Sequence, residues 1–380
     1  MRLLLLTRSL ELGGAERQLA LLAAGLHRRG HRVTVACFYP QGPLLEELTT
    51  SGVAVVGLGK RGRWDLLGAG RALRRLAGET QAQVIYSFLD TPNLLAALSK
   101  PFCPGLKLAW GVRASDMDLG RYDWFAALMA RLPRLLAGRA EVIIVNSRAG
   151  AAVAQARGLP ADKLVVIPNG IDTERFAPDP AAGLALRREW GLGPEEPLVG
   201  LVARLDPMKD HATFLRAAAL VLAQRPEARF VCVGGGPTEA LARLKALAAE
   251  LGLGQALIWA GPRGDMPFVH NTLDLLVLSS AFGEGFPNVV GEAMACAKPV
   301  VVTRVGDAAW VAGRSELAVA PGQPEALARA ALAVLAQTPE ERQALGRELR
   351  ARVRENFSLK AMLTASEETL SRLLEPSRPN

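Results

Sequence analysis

The sequence predicts an α/β protein of two open, doubly wound domains, each built from parallel strands and crossover helices. Three observations carry this. The chain has 380 residues, enough for two domains of ordinary size. Half of the residues are hydrophobic but only 5% are aromatic, so Leu, Ala and Val carry the apolar load, as suits buried parallel strands under alanine-rich helices. Short apolar segments alternate with segments of helical spacing, first from the N-terminus and again after Pro197.

The first strand is RLLLLT. AERQLALLAAGLHRRG follows, with apolar residues at helical spacing and a glycine stop. HRVTVACF, VAVVGL, QVIYSF, LKLAWGV, EVIIVNS and LVVIPNG are strand-like, bounded by Gly, Pro or polar residues, with helical segments between several of them. From Phe176 to Pro197 the chain is rich in Pro, Gly and charge, which reads as an interdomain link. The pattern then restarts with PLVGLVARL, helix HATFLRAAALVLAQR, ARFVCVGGG, helix EALARLKALAAELG, ALIWAG, TLDLLVLSS, helix NVVGEAMACA and PVVVTRVG. The expected division is an N-terminal domain over 1–178, a C-terminal domain over 179–360, and a C-terminal helix and tail over 361–380 packing back toward the first domain. Two such domains facing each other make a cleft. Ligands bind at the carboxyl ends of parallel strands, so the informative residues should follow strands.

The formal charge of +8 is uneven. Up to Pro178 there are 23 Lys and Arg against 14 Asp and Glu, and after it 22 against 23. A basic first half suits nucleic acid, an anionic membrane surface, an anionic substrate, or simply an arginine-rich soluble protein. Few aromatics and no recognisable binding motif set nucleic acid aside. No apolar run reaches the roughly 20 residues that span a bilayer. MRLLLLT is too short for a signal-peptide core and is followed by no small-residue cleavage site. Cys37, Cys103, Cys232 and Cys296 are scattered without metal-like spacing, so no metal site is expected and a reducing cytoplasm is the simplest setting.

Four loops after strands could carry chemistry. Gly13 and Gly14 open a helix, where backbone N–H groups can meet an anion, though a plain tight turn explains them equally. Arg204 and Lys209, five apart after a buried strand, would suit a diphosphate, with Arg forking onto phosphate oxygens; loop cations are also common. Gly234, Gly235 and Gly236 permit close approach of a ligand or a tight strand-to-helix turn. In FGEGFPNVVGEAMAC, Gly283 and Gly285 make the loop permissive, and Pro287 and Asn288 suit a helix start, with Asn288 as cap. Glu284 precedes that helix and Glu292 lies about one turn inside it, so both carboxylates can face one ligand across the helix start. Sugar hydroxyls are natural donors to them. Alternatively Glu284 meets the helix dipole and Glu292 is a solvated face residue.

Taken in order, GGAER, NSRAG, VIPNGIDTERFAPD, VARLDPMKD, VGGGP and EGFPNVVGEAMACAKPVVVTRVG resemble the retaining glycosyltransferases of family 4, nearly end to end. That family shares two facing Rossmann-like domains, the GT-B architecture, with an active-site cleft between them. The resemblance implies transfer of a hexosyl unit from a nucleotide-diphosphate sugar to a saccharide or polyprenyl-linked saccharide, with no obligatory metal or cofactor. Gly13 and Gly14 would lie near the diphosphate or the transferred sugar. Arg204 and Lys209 would hold the diphosphate, and Glu284 would contact sugar hydroxyls. The backbone through Gly285, Phe286, Pro287, Asn288 and Val289 would continue the sugar and phosphate site. Glu292 would accept from the ribose, and Arg263 would border the base. The acceptor hydroxyl would attack the same face that the diphosphate leaves, and the leaving phosphate would take its proton.

Relatives often carry a histidine near the reacting sugar. Here the corresponding region offers Asp90, Asn93 and Arg113. The basic first domain, with GKRGRWDLLGAGRALRRLAG and with Trp124, Phe125, Leu128 and Met129, could meet an anionic membrane surface, or these residues could be a solvated face and core. The expected location is the cytoplasm, peripheral at the inner membrane. The alternative is a non-catalytic sugar- or nucleotide-binding protein of the same fold; loss of Arg204, Lys209 or Glu284 would mark it, and all three are present.

Overall fold

The computed structural model describes residues 1–60, 62, 65–113 and 135–375. The chain divides into two units, Met1–Gly170 with Leu359–Asn380, and Ile171–Ser358. The boundary thus falls at Gly170, ahead of the Pro- and Gly-rich stretch expected to link the domains. That stretch is folded into the second unit. Ile171 is buried in the second unit's core. Arg187, also buried, donates to the Thr272 carbonyl, to Asp274, and to the carbonyls of Gly193, Pro194 and Glu196. One guanidinium therefore ties this irregular backbone to Thr272 and Asp274 of the second unit.

The first unit holds β1 (Arg2–Thr7), β2 (Arg32–Cys37), β3 (Ala54–Gly57), β4 (Val84–Phe88), β5 (Lys107–Val112), β6 (Val142–Val145) and β7 (Leu164–Val166). Its helices are α1 (Gly14–Arg28), α2 (Leu44–Thr50), α3 (Leu66–Glu79), α4 (Asp90–Ser99) and α5 (Arg148–Ala156). The second unit holds β8 (Leu198–Val202), β9 (Arg229–Val233), β10 (Leu257–Gly261), β11 (Leu275–Leu278), β12 (Val300–Thr303) and β13 (Ala318–Val319). Its helices are α6 (Pro180–Glu189), α7 (His211–Gln224), α8 (Thr238–Glu250), α9 (Met266–Thr272), α10 (Asn288–Ala295), α11 (Ala308–Ala312), α12 (Pro324–Leu335) and α13 (Pro339–Asn356). The last helix, α14 (Leu359–Arg372), belongs to the first unit.

Both sheets are parallel, with orders β3-β2-β1-β4-β5-β6-β7 and β10-β9-β8-β11-β12-β13. These are two Rossmann-like units. β1 shows why the strands are apolar throughout. Successive side chains point to opposite faces, and Leu3 and Leu5 enter one core cluster while Leu4 and Leu6 enter another. A strand covered on both faces has no polar side to show.

The strand order reverses direction between β1 and β4 in the first unit and between β8 and β11 in the second. At such a switch point neighbouring loops part to opposite faces of the sheet and leave a crevice. No described helix is long and apolar enough to cross a membrane.

Candidate functional site

Most of the predicted residues follow the strands at the two switch points, while Arg113 follows β5, Gly234, Gly235 and Gly236 follow β9, and Arg263 follows β10. In the second unit, β8 leads to Arg204 and Lys209, and its neighbour β11 leads to Glu284 and α10. The loops are stitched together. Ala281 N–H donates to the Met208 carbonyl at 2.8 Å. The Ser279 hydroxyl donates to the carbonyls of Lys209 and Asp210 at 2.9 and 3.0 Å. Asp210 adopts a left-handed conformation, φ 44°, and its carboxylate caps α7 through Thr213 N–H. Lys209 is thereby aimed at the β11 loop.

There it meets Glu284. The ammonium and the carboxylate form a direct ion pair, and the Ser280 hydroxyl donates to the same Oε1 at 2.5 Å. Glu284 is only 6% exposed. A buried carboxylate needs such partners, because burial disfavours an unpaired charge. The main chain here is pinned as well. Asp307 N–H donates to the Gly285 carbonyl at 3.1 Å. A Cβ at Gly306 would strike the Glu284 carbonyl at 2.0 Å, so only glycine lets that loop approach. Gly283 has φ 74°, the conformation that its loop position had suggested.

Arg204 differs. Its side chain is exposed and makes no hydrogen bond or ion pair with the described residues. Gly234 and Gly236 are explained beside it: a Cβ on either would strike the Ala203–Leu205 backbone or the Leu205 side chain, at 2.0 and 2.5 Å. Between the two readings of the triple glycine, tight packing against the Arg204 loop accounts for these two.

The helix start also departs from expectation. Pro287, not Asn288, occupies the cap position, with no side-chain capping bond, and Asn288 is the first helical residue. Proline's fixed φ sets the entry, and the first turn of α10 carries no acidic residue. The Phe286 side chain is buried and packs edge-to-face on Phe357, 5.4 Å between centroids. Only its backbone is left for a ligand. Gly291 lets α10 pass Ile171, where a Cβ would come within 2.8 Å of the side chain.

Glu292 is neither a free face residue nor isolated. His270, on α9 and fully buried, places Nε2 3.3 Å from Glu292 Oε2. Sequence reasoning passed over His270 because it lies on a different helix and looks like an ordinary core histidine. Arg263 is occupied elsewhere. It grips Asp265 through Nε and Nη2 at 2.8 and 2.7 Å and reaches Glu189 at 2.8 Å. These bonds, to Asp265 first and then Glu189, raise its pKa further and lower that of Asp265. Its guanidinium is a brace between α6 and the β10 loop.

In the first unit the loops after β1, β4 and β5 hold the remaining candidates. Gly13 caps α1 with extended backbone, and a Cβ there would meet the Glu16 carboxylate at 2.2 Å. That carboxylate folds back over the helix start. Asn93 is buried and committed. It accepts from the Ser87 hydroxyl at 2.6 Å and donates to the Gly111 carbonyl at 3.2 Å, tying β4 to β5. Asp90 is the first residue of α4 and is exposed. Arg113 donates to Asn169 Oδ1 and to the Tyr86 hydroxyl, both at 3.0 Å, and stacks over Phe88 at 4.5 Å. Burial raises the Tyr86 pKa, with Arg113 acting against it. Nearby, the Gln18 amide pairs with both the N–H and the carbonyl of Gly170. Arg61, Arg63, Trp64, Trp124, Phe125, Leu128 and Met129 lie outside the described residues.

Comparison with known proteins bears on the family and the fold. A model described as Glycosyltransferase Family 4 matches residues 12–175, and one described as Glycosyl transferases group 1 matches residues 196–337. A GDP-mannose-dependent alpha-(1-6)-phosphatidylinositol monomannoside mannosyltransferase of Mycobacterium tuberculosis is 31% identical over 62% of this chain and 62% of its own length. A D-inositol 3-phosphate glycosyltransferase of Thermobispora bispora is 35% identical over 44% of this chain and 42% of its own. The matches thus span less than two thirds of these relatives. Among solved structures, Anabaena HepE in complex with UDP superposes with a TM-score of 0.86 at 23% identity, covering 98% of this chain and 100% of that one. Sucrose-phosphate synthase of Thermosynechococcus elongatus gives 0.80 at 19%, covering 98% of each. The solved structures share the fold, and the matches on both halves of the sequence lead to one assignment: the chain belongs to glycosyltransferase family 4.

Proposed function

We propose that the protein transfers a hexosyl unit from a nucleotide-diphosphate sugar to a hydroxyl of a saccharide or lipid-linked saccharide, with retention at the anomeric carbon. The observation that carries this is the second switch point. There the β8 and β11 loops bring together two cations, two carboxylates and the acid-free first turn of α10. Arg204 and Lys209 would hold the diphosphate together with the helix start. Glu284 would accept from sugar hydroxyls, and Glu292 from the ribose. The mannosyltransferase relative is named for a GDP-mannose donor, and HepE was also solved with UDP-glucose. Both support a nucleotide-sugar donor without choosing the base.

The step needs no protein base. The acceptor oxygen bonds to the anomeric carbon as the bond from that carbon to the diphosphate oxygen breaks. The acceptor's proton passes to the departing phosphate oxygen. Negative charge grows on the diphosphate, where Arg204, Lys209 and the start of α10 would stabilise it. The same cations supply the counter-charge that a metal would otherwise provide. Gly13 and Gly14 would approach the donor, and Asp90 and Arg113 the acceptor. Asn93 would act by fixing the β4 and β5 loop ends.

Exposed Leu67 on α3, the cations Arg71 and Arg74, and Phe102 under Arg74 at 4.7 Å suit a membrane-bound acceptor.

The test is a panel of UDP-, GDP- and ADP-sugars, read by saturable binding and slow hydrolysis. At least one should bind, with affinity lost in Glu292→Ala, and the released product should keep the donor's anomeric configuration. If no sugar nucleotide binds and Glu292→Ala changes nothing, the donor site is misassigned.

A further inference from the structure

His270 is a buried polar group that the proposed chemistry leaves unused. It is 0% exposed, yet its Nε2 stands 3.3 Å from Glu292 Oε2. Its Nδ1 has no hydrogen-bond partner among the described residues. A buried N–H without an acceptor costs more than a buried lone pair without a donor, so the ring proton belongs on Nε2 and is donated to Glu292.

The ring is held from outside the pair. Phe176 meets it edge-on with centroids 5.9 Å apart. The Phe176 carbonyl is in turn held by Arg350 at 3.1 Å. The neighbouring Asn271 side chain donates to the carbonyls of Ala177 and Pro267, both at 2.9 Å, and accepts from Asp179 N–H at 2.8 Å. So α9 and the 176–179 strap hold the imidazole independently of Glu292. Glu292 is the more exposed partner: its side chain is 17% exposed against 0% for His270, on a helix whose other nearby side chains are apolar.

We infer that His270 is a positioning residue that occupies one lone pair of Glu292 from the buried side and so orients the carboxylate to accept from the two adjacent hydroxyls of a ribose. This rests on the donor-site reading above. A carboxylate free to rotate would lose entropy on gripping a diol; one already held on its inner edge presents its remaining lone pairs in one direction. His270 would then set the preference for a ribonucleotide without touching it.

The experiment measures binding of UDP, GDP and ADP, their 2′,3′-dideoxy counterparts, and pyrophosphate, to the full chain and to His270→Phe, His270→Gln and Glu292→Ala. The parent should prefer ribonucleotide over dideoxynucleotide. His270→Phe should cut that preference about tenfold, the size of one hydrogen bond to a charged group. His270→Gln, which keeps an N–H donor, should restore much of it, and pyrophosphate affinity should not move. A purely structural role predicts equal losses for all three ligands and no rescue by Gln, and that result overturns the inference. So does a Glu292→Ala effect on the preference with none from His270→Phe; there the donor-site reading survives. If Glu292→Ala leaves the preference intact, or no nucleotide binds, both fall. Should His270→Phe not fold, a His270→Gln variant that neither binds ribonucleotide preferentially nor differs from Glu292→Ala in stability also overturns it.

Discussion

The two switch points have the same topology and different contents. In the first unit, the helix after β1 starts under its own acid, with Glu16 folded over Gly13. Asn93 is spent on Ser87 and Gly111, and Arg113 is wrapped by Asn169, Tyr86 and Phe88. In the second unit, the helix after β11 starts without an acid in its first turn. The carboxylates on either side of that start are paired with Lys209 and His270, and Arg204 stands open. Topology makes a crevice in both places. Among the described residues, only the second presents a cation without a partner beside a helix start that favours negative charge. Fold therefore says where a ligand can sit, while side-chain commitments say what kind of ligand it can be.

The comparison is broken most forcefully at Lys209. Lys209→Ala should strand the buried Glu284 carboxylate and cost about 3–5 kcal/mol of stability. Denaturant unfolding would read this, and nucleotide affinity should fall with it. The Lys209→Ala/Glu284→Ala double variant should regain part of the stability but none of the affinity. A single variant as stable as the parent would mean that the pair does not compensate Glu284.

Arg204→Ala should separate binding from folding. Stability should stay within about 0.5 kcal/mol, since the side chain is exposed and unpartnered among the described residues. Nucleoside diphosphate affinity should drop about 10- to 100-fold, with a shallower salt dependence. Calorimetric titration at two salt concentrations checks both. The mirror image lies in the first unit. Asn93→Ala should cost about 1–3 kcal/mol by removing two buried hydrogen bonds, while Ser87 still reaches the Ala109 carbonyl and Gly111 still accepts from Leu89 N–H, with nucleotide affinity unchanged. Equal effects of the two substitutions on affinity would erase the distinction between the switch points.

A further contrast lies in pH dependence, where the cause of the shift differs between the units. His211, beside Lys209, has its pKa lowered to about 4 chiefly by burial. The unfolded chain then binds a proton that the folded one refuses, so stability falls as pH drops from about 6.5 toward 4, at up to about 1.4 kcal/mol per pH unit, and levels off below. In the first unit, Arg29 and then His31 hold the Glu367 carboxyl on α14 below its usual range. That contribution is present above the unfolded carboxyl's pKa and is lost as pH falls through the folded one. Urea unfolding across pH 7 to 3 should show both windows, the first removed by His211→Phe and the second by Glu367→Gln.

The sequence by itself determined the two parallel α/β units, because strands buried on both faces must be apolar at every position, as RLLLLT is. It also singled out candidate loops, since Arg204, Lys209 and Glu284 each follow a recognisable strand and Glu292 lies in the helix that comes next. Only the tertiary structure decided how those residues are committed. Lys209 and Glu284 are far apart in sequence yet form one ion pair. His270 reaches Glu292 from another helix, Arg263 is consumed by Asp265 and Glu189, and Asn93 holds two strands together. The unit boundary at Gly170 was likewise invisible, because Arg187 satisfies the backbone of a stretch whose composition reads as a linker. Local propensity and periodicity act over a few residues, whereas a hydrogen bond or an ion pair is set by distance in space. A chain read in one dimension shows which charges are available and leaves their partners to the fold.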